Sequence, residues 1–512
     1  MTKPSAFNRI LRHRWQYIVF LSEFVYMGLE LNASRIMSPI FGTTLDIWAS
    51  IIGTILASSA IGNWIAGRIG DDTRARQEWI PRCLFISALW LALIPLLYAG
   101  FMATGINASL PRVMTALLAC TVLFMIPGIC IGMLSPLVLA QYAHEQKLKI
   151  GLASSGFYTA MTLGGLAGTF ATGFILVPLF GATNLSVVMA SAMGILGLLS
   201  TIALSRLKAK EVPIFIITLV VILASMIYIN STPKNTTSLD LWKDTQYGRA
   251  RVLDLTEGKG RPTRNLLVSG GYESAMYLDD KTKSELVFEY LKTTAKVLEK
   301  EVKADDPVLC LGGGAYSFPK YLAYNKQANV DVVEIDGEIT TLAKEYFYLD
   351  EVSKKSKHQI KTYTGDGRVV LPTLKQRHYS VIFNDTFAGD SPVATLSTIE
   401  AVKSAKSVLA PNGIYIMNII GIQDDANNEF LGWEVKTLRE AFGSVRVFSI
   451  EDKENTAKDT VQNWVVVATD NVNWQSPKSL YEVKLNLDGA KVLTDDDCPV
   501  DFLTARLHLL SD

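Results

Sequence analysis

Four stretches of the sequence end an apolar run with residues that can do chemistry. "VLCLGGG" ends in Gly312, Gly313 and Gly314, "VDVVEID" in Glu334 and Asp336, and "TYTGDG" brings Asp366 and Gly367, while "YSVIFNDTF" carries Asp385. Bare Cα atoms in a glycine run let a ligand approach backbone N–H groups closely. A carboxylate about 20 residues after such a loop can accept hydrogen bonds from both hydroxyls of a ribose. Asp366 can accept from an adenine amino group. Asp385 stands next to where a reacting atom would lie, and a carboxylate there can take a proton from an incoming nucleophile. Each acid also has a structural alternative. Glu334 and Asp336 can be solvated strand-end residues or a cap on the next helix, and Asp366 can be a turn aspartate.

These residues need a common edge to stand on. Strands read at "PVLCLGGG", "VDVVEID", "IKTYTGDG", "YSVIFNDTF" and "GIYIMNI" alternate with helices near 317–326, 337–347, 367–375 and 397–408. Near-continuous apolar strands alternating with helices predict a parallel sheet covered on both faces, an α/β Rossmann-like fold. Ligands of such sheets sit at the carboxyl ends of the strands, where all of these acids fall. A helix-like stretch over 284–300 precedes the first strand. Before it, "YGRARVLDL" and "RNLLVSGG" predict a small β-domain. Against a nicotinamide dinucleotide, position 317 is Ser where the third fingerprint glycine belongs, and His358 and His378 look like surface residues. "LAPNGIYIMNI" fits a sulfonium cosubstrate better.

"VLCLGGG…VDVVEID…YTGDGR…VIFNDTFAGDSP…LAPNGIYIMNI" resembles the spermidine synthase (polyamine aminopropyltransferase) family over roughly 241–505. With the apolar segments in front and "VLTDDDCPVDFL" near the end, the chain is similar to that family's membrane-embedded branch. The resemblance implies a methyltransferase-type Rossmann-like domain with no permanently bound cofactor and no metal. Its cosubstrate would be decarboxylated S-adenosylmethionine or S-adenosylmethionine, its acceptor a putrescine-like amine, and there is room for a homodimer. Carried over by residue, Gly312, Gly313 and Gly314 would line the methionine-derived tail and Glu334, with Asp336 beside it, would hold the ribose. Asp366 and Gly367 would meet the adenine, and Asp385 would be the catalytic carboxylate. Glu273 stands where the family has a glutamine in its β-domain, and Asp390 matches a second acidic residue of the loop after Asp385.

Two departures bear on the substrate. The family's glycine loop continues with Asp, which binds the cationic amine of the decarboxylated cosubstrate; here it is Ala315. The family's tyrosine–histidine pair is replaced in "SELVFEYL", where only Glu289 matches. Either Glu273, Asp279 or Asp390 replaces the missing charge, or the loop accepts full S-adenosylmethionine for methyl or aminocarboxypropyl transfer. A third alternative is a transporter or sensor carrying a nucleoside-binding module without turnover.

The chain has 512 residues, which implies more than one domain, and 49% of them are hydrophobic. That excess lies before residue 231. A spanning helix needs about 20 mostly apolar residues. Seven stretches qualify, roughly 16–38, 47–67, 80–103, 113–142, 153–179, 184–205 and 212–230, with a kink or break expected at Pro127 and Pro136. The expected plan is therefore a membrane domain over 1–230, a linker over 231–240, the small β-domain over 241–283 and the Rossmann-like domain over 284–512. Lys and Arg concentrate in alternate loops (Lys3, Arg9, Arg12 and Arg14; Arg68, Arg74, Arg76 and Arg82; Lys147 and Lys149; Arg206, Lys208 and Lys210), with Arg112 the exception in the others. That pattern predicts a cytoplasmic N-terminus in a cell (inner) membrane. Seven spans then put the C-terminal half on the opposite, non-cytoplasmic side. Glu23 and Glu30 share one face of the first span, with Arg35 near its outer end; either Glu30 pairs with Arg35 and the chains snorkel, or the acids, with Asn63 of the second span, form a polar path or cation site. Net charge is zero, so nothing favours nucleic acid. The five cysteines show no disulfide or zinc spacing.

Overall fold

The computed structural model describes residues 6–41, 45–104, 110, 112–146, 150–204, 212–231, 239–245, 247–255, 260–374, 378–388, 391–422, 429–450 and 460–504. The chain forms two compact units, Met1–Pro233 and Lys234–Asp512.

The first unit is helical: α1 (Ala6–Phe41), α2 (Leu45–Ile69), α3 (Thr73–Ala103), α4 (Arg112–Gln146), α5 (Ile150–Ala171), α6 (Val177–Phe180), α7 (Ala182–Ala203) and α8 (Val212–Ser231). A π turn over Thr172–Leu176 joins α5 to α6. Pro178 follows it, and its missing N–H explains why the regular ladder is interrupted there. These rods cover the seven apolar stretches. By length and composition, five are apolar enough to cross a membrane: Asp46–Ile69, Thr73–Phe101, Val113–Gln146, Ser154–Phe180 and Ala182–Ala203. The apolar part of α8, Pro213–Ile227, is shorter, and α1, which carries Glu23, Glu30 and Arg35, is not among the five. The helix holding Pro127 and Pro136 is one continuous element, not a broken pair.

Glycines set how these rods pair. A Cβ on Gly164 or Gly168 of α5 would lie 2.1 or 2.2 Å from the carbonyl oxygens of Phe20 and Phe24 on α1. On α2 and α4, a Cβ at Gly62 would lie 2.2 Å from the Ile129 carbonyl, and one at Gly132 would lie 2.8 Å from the Ser59 backbone. Backbones this close are the small-residue packing expected where lipid replaces the hydrophobic drive between helices. At one end, Arg76 donates to the Gly70 and Asp71 carbonyls and to Gln141. Glu145 accepts from Arg14, Trp15 and Gln141. Two of the loop cations are thereby pinned. Leu56, Trp64, Phe174, Leu179 and Ile227 face outward, each 60% exposed or more. Large apolar surface of this kind marks a surface meant for lipid or protein.

The second unit opens with an antiparallel sheet in sequence order: β1 (Asp240–Asp244), β2 (Arg249–Leu255), β3 (Thr263–Val268) and β4 (Gly271–Tyr277). Ser269 and Gly270 both have positive φ (50° and 92°), the two-residue hairpin geometry that matches strand twist. Next is α9 (Glu289–Val297), shorter than expected. Asp280 accepts from the backbone N–H groups of Thr282, Ser284 and Glu285, which makes that stretch a turn.

The remaining elements are β5 (Pro307–Leu311), α10 (Ser317–Asn325), β6 (Asn329–Glu334), α11 (Gly337–Tyr346), α12 (Leu349–Lys355), β7 (Lys361–Thr364), α13 (Gly367–Val370), β8 (Tyr379–Asn384), a two-residue ladder of β9 (Phe387–Ala388) and β10 (Ser391–Pro392), α14 (Ala394–Ser397), α15 (Ile399–Lys406), β11 (Leu409–Ile422), α16 (Glu429–Ala441), β12 (Ser444–Ser449), β13 (Val461–Thr469), β14 (Tyr481–Val483) and α17 (Val500–Leu503). The large sheet runs β14-β12-β13-β11-β8-β5-β6-β7. β7, β6, β5, β8 and β11 are parallel, and β13 is antiparallel to both β11 and β12. Alternate strand residues enter two separate cores. Leu309, Leu311, Ile382, Tyr415 and Met417 pack on one face with α15 and α16. Val308, Cys310, Val381, Phe383 and Ile416 pack on the other with α9 and α10. That period of two is the strand's own geometry, and the burial of both faces explains the near-continuous apolar runs. Winding reverses between β5 and β8, so their carboxyl ends flank the switch-point crevice.

Candidate active site

The crevice begins where β5 ends. Gly312 has φ 87°, and a Cβ there would lie 2.2 Å from the Asp385 carbonyl at the end of β8. The Asp385 N–H in turn donates to the Leu311 carbonyl at 2.9 Å. The two strand ends thus meet backbone to backbone, which only glycine permits.

The Asp385 carboxylate is gripped at both oxygens. Tyr290 Oη donates to Oδ2 at 2.9 Å from α9, and Asn418 Nδ2 donates to Oδ1 at 2.8 Å from β11. Asn463 of β13 donates to Asn418 Oδ1 at 3.0 Å. That bond fixes the Asn418 amide so that its N–H groups face Asp385. Burial lifts the Asp385 carboxyl from the ordinary carboxylate range to about 6, against the opposing hydrogen bonds from Asn418 and Tyr290. Burial first, and then the neighbouring Asp385, push Tyr290 well above its ordinary value, so its phenol stays a donor.

A cavity of about 360 Å³ opens over this carboxylate. Gly312, Gly313 and Gly314 line it, as do Glu273 and Glu289, with Phe288 and Phe387 among its aromatic walls. Glu289 sits toward the rim, paired with Lys292 at 2.7 Å. Thus Asp385, the three glycines and Glu273 come together. Glu334, Asp336, Asp366 and Gly367 do not line the cavity but continue along the same sheet edge, at the ends of β6 and β7.

Glu334 is buried, 7% exposed. Its Oε2 accepts from the N–H groups of Gly313 (2.7 Å) and Gly314 (3.2 Å), and its Oε1 accepts from that of Asp336 (3.0 Å). Burial pushes its carboxyl up, partly offset by these N–H donors. Asp336 caps α11 by accepting from the Glu338 N–H, and its buried Oδ2 has no partner among the described residues. Asp366 likewise caps α13 by accepting from the Arg368 N–H. A Cβ on Gly367 would touch Leu396. One oxygen of each carboxylate is thus used as a helix cap, which is the structural alternative for Asp336, whereas Asp366 caps a short helix where a turn was the alternative. Asp390 lies outside the described residues.

Ala315 requires a correction. It is fully buried in an apolar cluster with Val252, Leu266, Met276, Ile339 and Phe347, between the small sheet and α11. Its side chain points into core and not into the cavity, so the absent carboxylate at 315 is a matter of packing here. Asp279 is also removed as a replacement charge, since it pairs with Arg261 on the surface at 2.8 Å. The sequence reading missed Tyr290, Asn418 and Asn463. Asn418 had a signal, as the single amide in the apolar strand "IYIMNII"; Asn463 follows a second amide, Gln462, in "VQNWVVV" and stands out less.

The strand order, the antiparallel β13 and the glycine turn at the switch point define a Rossmann-like domain of the methyltransferase type. Residues 287–424 match the family described as the spermine/spermidine synthase domain. The chain is 28% identical over 181 residues to the polyamine aminopropyltransferase of Vibrio vulnificus (strain CMCP6), covering 35% of this chain and 56% of that one. It is 26% identical over 146 residues to the polyamine aminopropyltransferase of Sulfolobus acidocaldarius, covering 28% and 48%. The chain spans about half the length of the curated relatives it matches. A solved structure of a probable spermidine synthase from Corynebacterium glutamicum aligns with a TM-score of 0.42 and 19% identity, over 50% of this chain and 96% of that one. The match to the spermine/spermidine synthase domain thus falls within the C-terminal unit.

Proposed function

We propose that this chain is a membrane-bound polyamine aminopropyltransferase. It moves the aminopropyl group of decarboxylated S-adenosylmethionine to an amine such as putrescine and releases methylthioadenosine. The observation that carries this reading is the doubly held Asp385 beneath a cavity walled by the glycine loop on one side and by Glu273, Glu289 and aromatic rings on another. In the reaction the amine lone pair forms the new C–N bond as the C–S bond breaks. The sulfur keeps that electron pair and becomes a neutral thioether. The acceptor arrives as an ammonium, with a pKa near that of lysine at about 10.4, so a proton must leave first. Asp385 takes that proton, directly or through water, and passes it to solvent. Tyr290 and Asn418 hold the carboxylate on target, so much of the rate comes from orientation. Glu273 and Glu289 draw the cationic groups into the cavity. Glu334 meets the ribose once it exchanges its loop N–H bonds for hydroxyl donors, and Asp366 with Gly367 meets the adenine. With Ala315 sealed in the core, residue 315 does not itself choose between decarboxylated and full S-adenosylmethionine.

The test is methylthioadenosine release from decarboxylated S-adenosylmethionine and putrescine as a function of pH. Asp385 is a base only when ionised, so kcat/KM is expected to rise as pH passes through about 6 and then level off. A profile flat across that region, or no methylthioadenosine at all, removes Asp385 as the proton acceptor in this reaction.

The membrane placement belongs to the same proposal. The apolar rods of the first unit cross the inner membrane with the N-terminus in the cytoplasm, as the basic alternate loops support. Counting all seven rods, the C-terminal unit faces the other side. Cysteines introduced at exposed positions of that unit, Tyr481 among them, should react in intact cells with a reagent that cannot enter the cytoplasm. Labelling only after lysis reverses the assignment.

A further inference from the structure

We infer that the helical unit carries a binding site of its own for a small organic ammonium ion, in the cleft around Glu23. This inference stands apart from the catalytic reading and uses none of its residues. The two glycine-mediated pairs, α1 with α5 and α2 with α4, leave a cavity of about 580 Å³ between them. That size is in the range of small-molecule sites, about 300–1,000 Å³. Glu23 reaches it from α1, Ser59 and Asn63 from α2, Ser135 from α4, and Tyr158 and Met161 from α5. Glu23 is 8% exposed and accepts one hydrogen bond from Ser135 Oγ at 3.3 Å. No lysine, arginine or histidine lines the cleft, and no cation pairs with Glu23 among the described residues. Glu30, two turns along the same helix, is not among the lining residues.

A carboxylate among apolar helices is costly and is usually kept for a cationic or protonic partner. The chemistry of the walls selects which. An anion is repelled by Glu23. A bare divalent metal wants about six oxygen ligands in close array, and this cleft offers one carboxylate, the hydroxyls of Ser59, Ser135 and Tyr158 and one amide spread across a roomy space. An alkylammonium fits better. Its charge meets Glu23, and its N–H groups find acceptors in Ser59, Ser135 and the Asn63 carbonyl. Its chain lies along Ile131, Leu139 and Met161. Tyr26 spends its hydroxyl proton on the Ile55 carbonyl at 3.0 Å, leaving its ring and that of Tyr158 to face a cation.

The test is photolabelling of the full chain in lipid nanodiscs with a diazirine-bearing butylammonium, with labelled peptides mapped by mass spectrometry. Labels should fall on the peptides that carry Tyr26, Met161 and Ile131. They should be displaced by butylammonium but not by butanol, and should drop roughly tenfold in Glu23→Gln while persisting in Glu23→Asp. Ala140→Phe, which fills the cleft and leaves Glu23 in place, should also abolish them, so the answer does not rest on one variant folding. Because the site is read from the peptide, labels in the C-terminal unit bear only on the catalytic proposal. Equal labelling in Glu23→Gln, equal displacement by butanol, or no label in the helical unit would overturn the inference.

Discussion

Replacing Asp385 with Asn is expected to lower turnover by about 10²–10⁴, the range for loss of a positioned general base, while nucleoside affinity stays within a few-fold. The shape hardly changes. Asn418 can still donate to the remaining carbonyl oxygen, and Tyr290 can accept from the new amide. Only the proton acceptor is gone. The same variant should be more stable than the parent at neutral pH. The Asp385 carboxyl sits at about 6 when folded, above an unfolded value near 3.9, so folding favours its protonated form. Its favourable contribution is complete below about pH 4 and is lost as pH rises through about 6. Above that, Asn at 385 should gain about 3 kcal/mol over Asp, and at pH 4 little. Thermal unfolding of both proteins across this range, beside kinetic assays, checks both halves. Loss of turnover together with loss of nucleoside affinity would mean that Asp385 holds the cosubstrate and is not the base. A pure binding module would show neither the kinetic loss nor a reason to keep an ionisable group that costs it stability.

The second large effect is expected where the family resemblance would suggest an improvement. Ala315→Asp restores the family's loop residue, yet here it would place a carboxylate in a cluster built from Val252, Leu266, Met276, Ile339 and Phe347. An uncompensated buried charge costs roughly 3–5 kcal/mol. The protonated form avoids much of that at a smaller but real penalty for an unpaired polar group. A loss of stability of about that size, visible as a fall of roughly 10 °C in Tm, should outweigh any gain in amine binding. It should also grow with pH, because the charge is what the core rejects. If Ala315→Asp unfolded like the parent and bound the decarboxylated cosubstrate more tightly, its side chain would have to reach the cavity, and the account of this loop would fail.

The kinds of elements in this protein were legible in the sequence. Apolar length marked the rods of the first unit, and short near-continuous apolar runs alternating with helices marked the strands of the large sheet. The glycine triplet announced a backbone turn that no side chain could share, and a carboxylate at the end of the largely apolar stretch "YSVIFN" pointed to Asp385. All of these signals are local, because each depends on what a few consecutive residues can bury or bond. What the sequence could not settle depends on register and on which faces meet. Asn463 reaches Asn418 only because Ile420 pairs with Asn463 across β11 and β13, putting the two amides on one diagonal. Tyr290 reaches Asp385 only because α9 packs over the face that holds Val381 and Phe383. The single backbone turn between Gly314 and Tyr316, not the identity of residue 315, sent that side chain into the core instead of the cavity. The Glu23 cleft exists because two pairs of helices close tightly on glycine and leave a gap between pairs. Local sequence specifies what an element is, whereas a site is made by contacts between residues tens to hundreds of positions apart, and those arise only once the chain has packed.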